Sequence, residues 1–319
     1  MSVESQAIKK ADILLKELES AGRLSASQAN TFTRTLINSP TILKECRVVQ
    51  MPSPEHKIAR IGFGSRILRP APIEGVELPA EQRAKPDLGQ IILRSVEVIA
   101  EVHLPYSVIE DNLEGGSINN GHEESAGGLM DTLIQLIGER ASLDLEELAL
   151  LGDVDKAGTD AFLGLTNGWL KLANVNTAMG DGKAVSLNDF TKSVKTLPKP
   201  YHRNLSDLRW YVSTSNAIDA SMLLAQRQTA VGDQQLTTMA TTTVLGVPVK
   251  PSAMMPETDM LLTHPKNLIF GIHRDIHIEF EKDIRKRIYA IVLTARVAVG
   301  IEDVNATVKT TNLSTAVVG

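Results

Sequence analysis

Cysteine is nearly absent from this chain: Cys46 is the only one in 319 residues, so an internal disulfide cannot form and a cysteine-rich zinc site is excluded. That leaves Cys46 the role of a small buried or half-buried apolar side chain. Excess positive charge is also lacking, since 33 Lys and Arg face 38 Asp and Glu, a formal net charge of -5. Without a global basic field, strong phosphate-driven binding of nucleic acid is not expected. No apolar run approaches the roughly 20 residues of a membrane span. The opening residues, with Ser2, Glu4 and Gln6 leading into a charged helical pattern, lack the apolar core of a signal peptide. A soluble protein made in a reducing cytoplasm is the expectation. The composition itself, 43% hydrophobic and 22% charged, is that of an ordinary globular chain with enough apolar material for one or two cores.

Chemical motifs are equally sparse. Gly62-Phe63-Gly64-Ser65 has the wrong spacing for a nucleophile elbow and reads as a bulge or flexing pair in a strand. Gly180-Asp181-Gly182-Lys183 lacks the spacer and following Ser or Thr of a phosphate loop and reads as a turn. Asp153, Asp155 and Gly158 hint at a calcium loop, but Ala157 and Gly164 stand where ligands belong, so a helix-exit turn is preferred. His273, His277 and Glu279 share a strand face, where neutral imidazoles in solvent are the simpler reading than a metal site. Lys282, Arg285, Lys286 and Arg287 are largely neutralised by Glu279, Glu281 and Asp283, which favours a solvated turn or ion pairs between subunits. No convergent acid, base or nucleophile set is found, so no enzyme, cofactor or metal is expected.

Periodicity supplies the organisation. Ile8, Ala11, Leu14, Leu15 and Leu18 lie at helical spacing before Gly22, and a second helix starts at a Ser25/Gln28 capping box and stops at Pro40. Residues 57 to 69 and 90 to 104 read as two long strands, the second with Ile92, Val96, Val98, Ala100, Val102 and Leu104 on one face. A polar, proline-containing segment separates them, making an arm with a polar tip that needs a partner surface. A long helix runs to about residue 151, apolar over a wide arc, with Asp131, Gln135, Glu139, Ser142 and Glu146 on the remainder. Beyond it, a mixed α/β region has helices near 187 to 196 and 215 to 227 and a Gln/Thr-rich loop at 228 to 243. Strands at 276 to 280 and 288 to 299 then form an antiparallel pair.

This order, with Leu150-Leu151-Gly152-Asp153 leading to Gly164-Leu165, and Leu245-Gly246-Val247-Pro248-Val249 leading through Met254, Met255 and Pro256 to Leu261-Leu262, resembles the HK97-type major capsid proteins of tailed double-stranded DNA bacteriophages. The resemblance implies an α+β fold divided into an N-arm (1–50), an E-loop arm (51–104), a P domain with the spine helix (105–160), an A domain (161–268), a P-domain hairpin (269–300) and a C-terminal segment (301–319). It further implies self-assembly as pentamers and hexamers into an icosahedral virion shell, formed in the host bacterial cytoplasm and expanding as DNA is packaged. Packaged double-stranded DNA is expected to make weak, non-specific contacts, and no membrane contact is expected. Only about fifty residues precede the arm, too few for a large scaffolding extension, so a separate scaffolding protein is implied, with a portal and a decoration protein as further partners. Candidate inter-subunit residues are Arg66, Arg69 and Lys85 on the arm and Gln234 and Gln235 in the loop expected at the A-domain tip. Some family members join an arm lysine to a P-domain asparagine; Lys85 and Asn305 are the conceivable pair, but without a recognisable catalytic acid no crosslink is expected. The alternatives are an encapsulin-type compartment shell, which shares the fold, and a soluble α/β enzyme.

Overall fold

The computed structural model describes residues 41–62, 67–68, 70, 81, 87–105, 129–225 and 242–314. In chain order the strands and helices begin with β1 (Arg47–Gln50), β2 (Glu55–Gly62), β3 (Asp87–Arg94), β4 (Val96–Pro105) and α1 (Leu129–Leu151). They continue with α2 (Trp169–Leu172), β5 (Thr177–Met179), α3 (Leu187–Thr196), β6 (Arg209–Ser213), α4 (Thr214–Ala225), β7 (Thr243–Val244) and β8 (Val247–Ser252). The last are β9 (Met260–Thr263), β10 (Leu268–Asp283), β11 (Ile288–Ile301) and β12 (Val308–Thr311). Both expected helices of the mixed region are present, and the expected terminal hairpin is longer at both ends. The N-terminal helices and the 228–241 part of the loop lie outside the described residues.

Three sheets organise these elements: four strands in the order β1-β10-β11-β4, six in the order β5-β12-β9-β6-β8-β7, and the two-stranded β2-β3 ribbon. Helix α1 covers the four-stranded sheet. Its Leu145, Leu148, Ala149 and Leu150 join Val98, Ile272, Ile278, Leu293 and Val297 in one core. Burying each such leucine stabilises the fold by roughly 1.5–3 kcal/mol. Strand β6 reads as an unbroken apolar run because it is covered on both faces: Trp210 and Val212 join the second core with Phe190 from α3, while Tyr211 turns to the first. Phe190 and Trp210 meet edge to face, 4.9 Å apart at 82°. Trp169, at the start of α2, ties the layers, its indole N–H donating to the Gly300 carbonyl at 3.0 Å.

Two expectations need correction. First, the strand read across 90–104 is two strands in different sheets, β3 pairing with β2 and β4 with β11. At Ser95, whose N–H bonds to the Pro54 carbonyl at 2.9 Å, the alternation slips by one residue. Leu93 is therefore buried and Ile92 exposed, although Ile92 is in phase with the inward Val98. Second, Ser142 and Glu146, expected on the polar side of α1, are buried. The last turns of that helix are enclosed from a second direction by Ile42 and Leu43. The C-terminal segment from 301 supplies β12, a strand inserted between β5 and β9. Four residues are too few for a period-2 signal to stand out.

At the turn whose acidic spacing hinted at calcium, a lysine sits instead. Lys171 Nζ lies 3.0 Å from Asp153 Oδ1 and 2.8 Å from Asp155 Oδ2, and Asp153 caps the short 3-10 turn at 154–156. His273 Nδ1 is 3.1 Å from the Met51 carbonyl oxygen, which places it between strands. Gly182, with φ at 69°, occupies the expected turn.

Candidate assembly surfaces

The arm is anchored at its root by packing and by one carboxylate. Leu93 of β3 is fully buried against Met51, Ile269 and Ala298. Its socket exists because β11 has Gly300 there: a Cβ at that position would come within 2.5 Å of Leu93 Cδ2. Arg60 of β2 then reaches Asp303, with Nη1 2.7 Å from Oδ1. The other oxygen of Asp303 accepts from the Tyr201 hydroxyl at 2.5 Å, so one side chain joins the ribbon, the end of β11 and the region of the six-stranded sheet. Asn267 fixes its backbone, accepting from the Asp303 N–H at 2.8 Å and donating to its carbonyl at 2.9 Å. Burial, reinforced by Asp303, pushes the Tyr201 hydroxyl up to about 12, so it stays a donor. A cleft of about 450 Å³ opens beside this joint, lined by Arg60, Gln90, Ile92, Glu302 and Asn305. Asp303→Ala is expected to destabilise the subunit by about 2 kcal/mol, since it strands Arg60, the Tyr201 hydroxyl and the Asn305 N–H, all donors to a charged acceptor that is only partly screened. A urea midpoint unchanged from wild type would contradict this.

A second carboxylate holds the chain's entry into the body. Glu146, 2% exposed, accepts from the Ser252 hydroxyl at 2.6 Å. Ile42 and Leu43 plug the core beside it, and Glu45 pairs with Lys250 at 2.9 Å. Burial raises the Glu146 carboxyl above its ordinary value of 4.5, partly offset by Ser252 and the nearby Ile42 and Thr41 amides. The folded state therefore holds the proton more tightly than the unfolded chain. Its stabilising contribution is complete below about pH 4.5 and is lost as pH rises through the raised value. The Tm difference between E146Q and wild type is thus expected to shift in favour of E146Q as pH rises from 4.5. A difference flat with pH would show that the group titrates normally.

Outward from these anchors, large apolar side chains stand in solvent. Leu68 on the arm is 84% exposed, with Ile67 and Ile92 also exposed. Ile284 projects at the β10–β11 turn, where Asp283 accepts from the N–H groups of Arg285 and Lys286 at 2.9 and 3.0 Å. Those amides hold the Asp283 carboxyl below its usual range.

No family model matches the chain. It is 37% identical over 316 residues to "Putative prophage capsid protein YqbE" of Bacillus subtilis (strain 168), a match covering 95% of this chain and 97% of that relative. The chain belongs to the phage capsid protein family. A chain of the satellite phage P4 procapsid structure that includes the size determination (Sid) protein aligns with a TM-score of 0.66 at 14% identity, covering 98% of both chains. The capsid of the native GTA particle aligns at 0.60 and 14%, covering 86% of this chain and 91% of that one. Mycobacterium phage Cain aligns at 0.57 and 13%, covering 86% and 90%. At these identities the likeness is one of fold, and the α+β, HK97-like capsid fold is the one shared. The protein is a major capsid protein.

In this capsid protein the expected inter-subunit residues Arg66, Arg69, Lys85, Gln234 and Gln235 all lie outside the described residues. Sequence reasoning passes over Arg60, Tyr201 and Asp303, and it places Glu146 on the polar side of its helix. Arg60 is one polar residue in an alternating strand, and its partner lies more than two hundred positions away, so no local signal marks it. Glu146 carries a readable hint, since it stands between Leu145 and Leu148 on a helix apolar over most of its circumference. Asn305, the conceivable partner of Lys85, bonds within its own subunit: its N–H donates to Asp303 at 3.1 Å and its carbonyl accepts from Asn176 at 2.8 Å. Among the described residues no group of three or more His, Cys, Asp or Glu could hold a metal, and no helix is long and apolar enough to cross a membrane.

Proposed function

We propose that copies of this capsid protein assemble as pentamers and hexamers into an icosahedral shell around double-stranded DNA. The observation that carries the reading is the contrast within the arm. Its root is fixed by Leu93 and by the Arg60–Asp303 pair, whereas Leu68 farther along is 84% exposed. An apolar side chain held out on a fixed lever gains from burial only against another molecule. Shell contacts of this kind bury roughly 1,000 Å² or more each. In this reading residues 1–50 are the N-arm, 51–104 the E-loop arm, 105–160 and 269–300 the P domain, and 161–268 the A domain.

The role is structural and not enzymatic. The protein resides in the virion after assembly in the host bacterial cytoplasm. A separate scaffolding protein, a portal and a decoration protein are the accompanying components. With a net charge of -5 over the whole chain, the protein meets DNA weakly and without sequence preference. A prophage relative matching almost end to end favours a genome container over an encapsulin-type compartment. Electron microscopy of the protein, purified or co-expressed with scaffold, tests the proposal. Uniform shells tens of nanometres across are expected, and a stable monomer or dimer in the presence of scaffold would overturn it.

A further inference from the structure

Two apolar patches occupy opposite edges of the six-stranded sheet. At one edge lie α4, which packs over β8 and β6, and the β7–β8 turn beyond it. Helix α4 is apolar on two sides: Ala220 faces the core, while Ile218 (58% exposed) and Met222, one turn apart, face outward. Apolar side chains on the outer side of such a helix gain from burial against another surface. Beyond it stands Leu245, 51% exposed, in the two-residue turn between β7 and β8. Its φ is 54° and that of Gly246 is 80°, the mirror-image turn that asparagine or glycine enters easily and a leucine does not. An apolar side chain is thus presented to solvent on strained backbone, at a position where a small polar residue would relieve both penalties.

The opposite edge is β5. Met179 at its end is 71% exposed, and Val175 just before it is exposed as well. Charge differs between the edges. Lys183, Lys192 and Lys195, on and beside α3, outnumber Asp181 and Asp189 there, whereas Asp219 and Glu257 accompany α4, Glu257 accepting from Ser215 at 2.9 Å. Each patch could meet its own copy across a two-fold, but the opposite charge balance of the two edges favours the pairing of unlike patches. Repeated head to tail with a rotation that closes, they make a ring.

We propose that the α4 patch, Ile218, Met222 and Leu245, docks on Val175 and Met179 at the β5 edge of the next copy, and that this contact closes the ring of subunits. The inference rests on the shell-forming reading and names the surfaces that carry it. Thiol crosslinking tests it in the full-length chain. The native thiol is a poor reagent, because burial pushes Cys46 up to about 12 and its Sγ donates to the Leu43 carbonyl. With a short bismaleimide, shells of the M179C/M222C double variant are expected to give a ladder of covalent multimers ending at the closed ring. Each single variant is expected to stay monomeric on the same gel. Covalent dimers from M222C alone would show a two-fold contact and overturn the proposal. Double-variant shells with no ladder would overturn it too, leaving the capsid reading intact, whereas absence of shells from the unmodified chain would remove both.

Leu245→Asn provides a second arm should the double variant fail to fold. Its subunit Tm is expected to equal or exceed wild type, because the strain is relieved, while the concentration needed for assembly rises at least tenfold. Assembly unchanged from wild type would overturn the proposal.

Discussion

A subunit lacking residues 70 to 85 is expected to fold normally and form no mature shells. The deletion removes most of the segment between β2 and β3 but leaves both strands with their full register, from Glu55 opposite Arg94 to Gly62 opposite Asp87. The anchors of the root, Leu93 in its socket and Arg60 on Asp303, are untouched, so subunit stability should change by less than about 1 kcal/mol, as for surface changes that break no named interaction. Assembly should be lost entirely, because in the proposed reading this segment is the part of the arm that reaches the neighbouring copy. Circular dichroism and thermal melting report the first half of the expectation and electron microscopy the second. Normal shells from the deletion would show that the arm does not bridge subunits.

Gly152→Ala is expected to cost the fold about 3 kcal/mol or leave it insoluble. Two effects compete. Alanine is a better helix residue than glycine by about 1 kcal/mol, and Gly152 directly follows the last turn of α1, so substitution could have been neutral. Geometry decides otherwise. A Cβ there would lie 2.4 Å from the Thr166 carbonyl oxygen, 2.6 Å from that of Leu148 and 3.0 Å from the Gly168 nitrogen. All three are backbone atoms, which cannot rotate away as a side chain can. Gly168 is bound to the same spot through its N–H, 2.7 Å from the Gly152 carbonyl, and a Cβ on Gly168 would meet the helix end in turn. Overpacking of this kind usually costs 1–3 kcal/mol and more when nothing can yield. A urea midpoint within error of wild type would show that the two loops separate easily.

These glycines explain why the Leu150-Leu151-Gly152-Asp153 stretch is informative as sequence. It marks a close approach of two chain segments, and close approach leaves a glycine behind. Helix α3 is legible to the residue for a similar reason, since Ser186 and Asp189 form a complete capping box, Ser186 Oγ lying 2.7 Å from Asp189 Oδ2. The β10–β11 pair is legible because sixteen and fourteen residues of strand give the alternation room to show. What escapes is decided at long range. The one-residue slip at Ser95 is invisible in a sequence that alternates plausibly through it. The burial of Glu146 depends on Ile42 and Ser252, residues far from it along the chain. The surfaces resist most, because exposure of Ile218 or Met179 follows from which edge of a sheet each element takes, and topology is not written in local periodicity.

The placement of β1 and β12 has a consequence for synthesis. Strand β1 pairs in parallel with Ile269 to Ile272, and β12 fills the gap between β5 and β9. Neither pairing can form until late in translation, and such long loop closures are slow. A nascent chain stopped short of residue 308 has a divided sheet whose β5, one of the proposed ring contacts, is held by no neighbouring strand. If the proposed ring contact holds, a chain stopped before β12 would offer its neighbour a β5 edge with no strand to brace it.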